Sequence, residues 1–90
     1  MKPERWQRLS PYEQLRNIAA EIERARVSEE NRDSELFRGS LERALELIDL
    51  SLQDARWRSD SLQLLTLRDE IAKSYLGEKS GNIQAFSRAL

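Results

Sequence analysis

Apolar side chains recur every three or four residues in three separate stretches of this chain, the spacing that gathers them on one side of an α-helix. In the first stretch Leu15, Ile18, Ala19, Ile22 and Ala25 repeat, with Glu13, Glu21, Glu23 and Arg24 turned away. The pattern predicts a helix over 11–26. Its start is marked chemically, because Ser10 caps, Pro11 suits the first helical position and Glu13 reaches back to the capping residue. Val27-Ser28 reads as a break, with Ser28 or Asp33 available to cap the next helix.

In the second stretch Phe37, Leu41, Ala44, Leu45, Leu47, Ile48 and Leu52 cover a broad arc opposite Glu42, Arg43, Glu46 and Asp49. An arc this wide touches two neighbours, which makes the segment the central packing element. Gly39 either permits close packing or marks a weak early turn. Leu50 falls outside the main arc and, with Leu36 and Leu47, is expected to leave apolar surface for a partner.

Ser51 through Ser61 reads as a link in which Trp57, between Arg56 and Arg58, plugs the junction. Ser59, Asp60 or Ser61 then caps a third helix running to about Leu76. Leu64, Leu67, Ile71 and Tyr75 form its main stripe; Leu65, Ala72 and Leu76 widen one side, and Asp69 pairs with Lys73. Gly77 ends this helix in a left-handed conformation. A turn over 78–82 leads to a short final helix lined by Ile83, Phe86 and Leu90, too short to stand without docking. Residues 1–9 form a polar leader with Trp6 and Leu9, read as a docked or frayed arm. No alternating strand pattern competes. The expected fold is a single all-α domain over 1–90, a compact helical bundle or hairpin array of three principal helices plus a short C-terminal helix.

Composition then removes chemistry. With 39% hydrophobic and 34% charged residues the chain has enough apolar material to fold. It has no cysteine, which excludes disulfides and thiolate mechanisms, and no histidine, which removes the commonest near-neutral acid–base group. Carboxylates are left as the strong metal ligands, but no Glu-x-x-His pair occurs, and Glu21, Glu42, Glu46 and Asp49 read as solvated. No phosphate-cradling glycine motif occurs either. No catalytic, cofactor or metal residues are therefore assigned.

Formal net charge is −1, against a general nucleic-acid binder, although residues 1–10 carry +2. No apolar run approaches the ~20 residues of a membrane span, and no secretory segment opens the chain. A cytoplasmic protein with no membrane partner is expected.

The run Glu42-Arg43-Ala44-Leu45-Glu46-Leu47-Ile48-Asp49-Leu50, the segment Asp54-Ala55-Arg56-Trp57 with Arg58, the downstream Leu67-Arg68-Asp69-Glu70 and the leader Trp6-Gln7-Arg8-Leu9-Ser10 resemble a group of small bacterial all-helical proteins with an Asp-x-Arg-Trp segment. The resemblance covers about residues 5–77, implies a shared helical fold and transfers no activity. A looser resemblance is to helical nucleotide-binding-associated proteins that include prokaryotic toxin ribonucleases. Their pattern pairs an arginine, here Arg68, with a histidine a few residues on, and this chain departs from it by having no histidine.

Arg68 falls between Leu64, Leu67 and Ile71 on one side and Leu65 and Ala72 on the other, so its charge calls for an acid on another helix or for a stem that carries the head to water. An interface ion pair is its second reading, and an anion-binding or catalytic role its third. Arg56-Trp57-Arg58, and Trp6 with Arg5 and Arg8, are aromatic-basic patches suited to a phosphate or a stacked base if they converge. The expected interaction residues are Trp6, Leu36, Leu50, Arg56, Trp57, Arg58 and Arg68. The leading expectation is a non-enzymatic interaction or scaffold protein with a protein partner, or a homodimer. A nucleic-acid or phosphate-binding module comes second, and a metal- or partner-dependent hydrolase or phosphoryl-transfer component third.

Overall fold

Helix ends in this chain are written into its side chains, and the computed structural model, which describes residues 2–77, shows how each is used. Pro3 begins a short helix, α1 (Pro3–Gln7), where the leader was expected only as an arm. Ser10 then caps α2 (Pro11–Glu30) by accepting the Glu13 N–H at 3.1 Å. The expected break at Val27-Ser28 does not occur. Ser28 instead donates its hydroxyl back to the Arg24 carbonyl at 2.8 Å, an arrangement that lets serine sit inside a helix.

The true end of α2 is a tight closure. Arg32 takes a left-handed φ of 57°, its N–H donates to the Glu29 carbonyl and the Asp33 N–H donates to that of Ser28. These are the paired bonds of a helix end more often built on glycine. Asp33 at once caps α3 (Ser34–Leu52), accepting the Leu36 N–H at 3.1 Å. So short a connection folds α2 and α3 into an antiparallel hairpin.

After α3, Asp54 accepts the Arg56 N–H and starts a 3₁₀ segment (Ala55–Asp60) that runs straight into α4 (Ser61–Tyr75). Gly77 closes α4 with a φ of 81°, as its position predicts. The expected turn over 78–82 and the helix lined by Ile83, Phe86 and Leu90 lie outside the described residues. Those described are all-α and contain no strand.

Helix α3 is the centre of the fold. It packs against α2 on one side and α4 on the other, and also meets α1 and the 3₁₀ segment, so the broad arc does serve two neighbours. One core joins Ile18, Ile22 and Ala25 of α2 to Leu41, Ala44 and Ile48 of α3, Leu64, Leu67 and Ile71 of α4, and both tryptophans. Burial of each large aliphatic side chain contributes about 1.5–3 kcal/mol. Gly39 is not a close-packing site, because a Cβ there would meet only the Arg43 guanidinium at 3.5 Å.

Three expectations need correction. Leu50 is 8% exposed and part of the core, since α1 and the 3₁₀ segment cover α3 beyond its main arc. Glu21 is buried, not solvated: it faces α3, where Arg43 donates to its carboxylate at 2.9 Å, with Arg24 on the other oxygen. Leu65 and Leu76 do not widen the buried side of α4 but stand in solvent.

Candidate functional site

Two features of the molecule depart from the rule that polar groups face water and leucines face the core. The first is a buried polar lock where α1, the start of α2, the end of α3 and the 3₁₀ segment meet. Gln14 lies at its centre with no exposed surface. Its amide nitrogen donates to the Trp6 carbonyl at 3.0 Å and to Asp54 at 3.2 Å, while its oxygen accepts the Trp57 indole N–H at 2.5 Å. Trp6, fully buried, donates its own indole N–H to Ser51 Oγ at 2.9 Å, and the Ser51 hydroxyl donates to the Leu47 carbonyl.

Arg56 completes the lock from outside. Its guanidinium donates to Asp54, at 2.6 Å from Nη2, and the same nitrogen donates to the carbonyls of Gln7 and Leu9 at 2.8 and 2.7 Å. It thus clamps the exit of α1 to the 3₁₀ segment. The bond from Arg56 holds the Asp54 carboxyl well below the usual carboxylate range, outweighing the opposing effect of burial. No buried side-chain polar atom of the lock lacks a partner. A network so satisfied rigidifies the chain and has no group left over for a ligand.

This settles where the aromatic-basic patches go. Trp6, Trp57 and Arg56 do converge, but both indoles are buried and the guanidinium is committed to the chain's own acceptors. Neither ring has a face open for a base to stack upon. Trp6 and Trp57 are anchors of the fold, while Arg58 beside them is exposed.

Arg68 lies elsewhere, half-buried on α4, and donates to Asp49 of α3 at 2.7 Å. The pair raises the Arg68 pKa and pins one helix to the next. Further along the same seam Tyr75 donates to Glu42 at 2.7 Å, which raises the phenol's pKa, and Arg38 lies over the ring. Both acids accept from α4 through the rim of the α3–α4 contact. Such exposed pairs each contribute a fraction of a kcal/mol.

The second feature is the outer face of α4. Successive helical residues are 100° apart, so Leu62, Leu65, Asp69, Ala72 and Leu76 fall within about 80° of one another, opposite Leu64, Leu67 and Ile71. Leu62 is 76%, Leu65 49% and Leu76 72% exposed. The stripe runs the length of the helix, about 21 Å. Leu36, at 57%, stands apart at the start of α3. Helical period alone sets Leu65, Ala72 and Leu76 beside the core stripe and gives Leu62 no place in it. Two leucines in succession, Leu64-Leu65, were the available signal that α4 is apolar on two sides.

Depressions elsewhere on the surface offer less. One of about 310 Å³ is lined by Leu9, Glu13, Arg16, Asn17 and Ala20, and one of about 290 Å³ lies at the α2–α3 turn beside Arg32 and Phe37; both are open and shallow. Among the described residues no three acids lie close enough to hold a metal ion, and no helix is long and apolar enough to cross a membrane. Searches of protein-family models, of curated proteins and of solved structures find no match to this chain.

Proposed function

We propose that this chain is a non-enzymatic helical interaction protein whose contact surface is the outer face of α4. The observation that carries the reading is the row of Leu62, Leu65 and Leu76, three large apolar side chains held in water on one face of one helix. Isolated exposed leucines are ordinary, but a row in heptad register is the pattern by which one helix seats on another. The lock supports the reading from the other side, since it spends its polar groups on holding the fold. The face is thereby presented on a rigid frame.

A photoreactive residue tests this position by position. Placed at 62 or 76 it gives a covalent adduct of one discrete mass with a protein, and placed at 23, on the outer side of α2, it gives none. Equal and diffuse labelling from all three positions contradicts the proposal.

A further inference from the structure

We infer that the occupant of the α4 face is a second copy of this chain, seated antiparallel so that the two α4 helices form a short two-stranded seam. The inference rests on the functional reading above and adds the partner and its register. Leu62, Asp69 and Leu76 stand at one seam position of successive heptads, and Leu65 and Ala72 at the other. One polar residue in an apolar seam fixes register and orientation, and here that residue is Asp69, exposed and acidic. A parallel, in-register pair would set Asp69 against Asp69 of the second copy, a like-charge contact in the middle of the interface.

The antiparallel register removes that conflict. It places Leu65 against Leu76 of the second copy and Asp69 against Ala72. Lys73 of the second copy then stands one residue beyond that contact, next to Asp69. Within one chain Lys73 already bonds Asp69 at 3.1 Å and lies 3.8 Å from Glu70, so the ammonium stands beside the seam. The two-fold axis repeats the arrangement on the other side, giving two acid–base contacts where the parallel pair has repulsion. A surface carrying its own complementary charge in this order is self-complementary under a two-fold, the usual symmetry of a homodimer. Two leucines and an alanine per copy lie within this register, with Leu62 beyond its end, so the contact is small and the dimer forms and dissociates with concentration rather than being permanent.

The chain contains no cysteine, so introduced thiols report one pair at a time. Leu65→Cys protein is mixed with mass-tagged Leu76→Cys protein and mildly oxidised. The antiparallel seam predicts that the mixed 65–76 disulfide predominates over the 65–65 and 76–76 products. Asp69→Lys weakens self-association about fivefold, and the swap Asp69→Lys with Lys73→Asp restores it. Asp69 is exposed and Lys73 half-buried, so folding is checked by an unchanged urea midpoint. Equal 65–65 and 76–76 products would overturn the inference in favour of a parallel pair, and a protein monomeric by sedimentation up to millimolar concentration would overturn it altogether. An adduct from position 62 with a different protein, found alongside a strict monomer, would overturn the homodimer while leaving the interaction reading intact.

Discussion

The lock around Gln14 and the outer face of α4 invert each other. At the lock an amide, a carboxylate, a hydroxyl and two indole nitrogens are taken out of water, and every one of them is given a partner within the chain. On α4 three leucines are left in water with nothing from the described residues over them. A buried polar group without a bond is destabilising by about 1–3 kcal/mol, so the lock exists only because it is complete. An exposed leucine carries no such constraint on the folded monomer, so the face is free to answer to a partner. Closure is the mark of a structural device, and openness that of a binding one.

The comparison predicts unequal responses to mutation. The largest belongs to Gln14→Leu, which keeps the volume but strands the Trp57 indole N–H and removes one bond each from Asp54 and from the Trp6 carbonyl, which keeps the Leu9 N–H. We expect a loss of about 3 kcal/mol in urea unfolding followed by tryptophan fluorescence. A loss under ~0.5 kcal/mol would mean that the lock is ornamental.

Asp54→Asn comes next, at about 2 kcal/mol near neutral pH, because it weakens the bonds from Arg56. Its pH dependence has a fixed sign. The folded-state pKa of Asp54 lies below its unfolded value of ~3.9, so its stabilisation is present above that value and fades as pH falls through it toward the folded pKa. The gap between wild type and Asp54→Asn in urea midpoint should therefore be full at pH 7 and narrow in acid below about pH 4. A gap that widens in acid would contradict the assignment. Smallest is Leu65→Gln, which should move the unfolding midpoint of dilute protein by less than ~0.5 kcal/mol, since the side chain leaves no cavity.

How far these regions were legible in sequence follows from the range of the forces that make them. Ser10, Asp33 and Gly77 act within one helical turn, and the helix ends they set could be placed or narrowed to a choice from spacing and residue type. The central role of α3 was legible too, because the width of its apolar arc is a local property. Helix α1 was not, since five residues do not make a stable helix alone and its conformation depends on Trp6 reaching the core beside Ser51. Glu21 reads as solvated from its own helix because its partner Arg43 arrives from the next one. Arg56-Trp57 was visible as an unusual segment, but whether it faces inward or outward depends on Gln14, 43 positions from Trp57 in sequence. Leu65 and Leu76 fail for a different reason. Period identifies residues that share a face of α4, but when two faces are apolar it cannot choose which one α3 covers.

Sedimentation equilibrium of wild type and Leu65→Glu, run side by side from micromolar to millimolar concentration, bears most directly on the pairing of α4 with a second copy of the chain. Self-association of the wild type that weakens at least tenfold in Leu65→Glu, with the unfolding midpoint of the dilute monomer unchanged, is the predicted result. Self-association equally strong in both proteins, or no association in either, would contradict it.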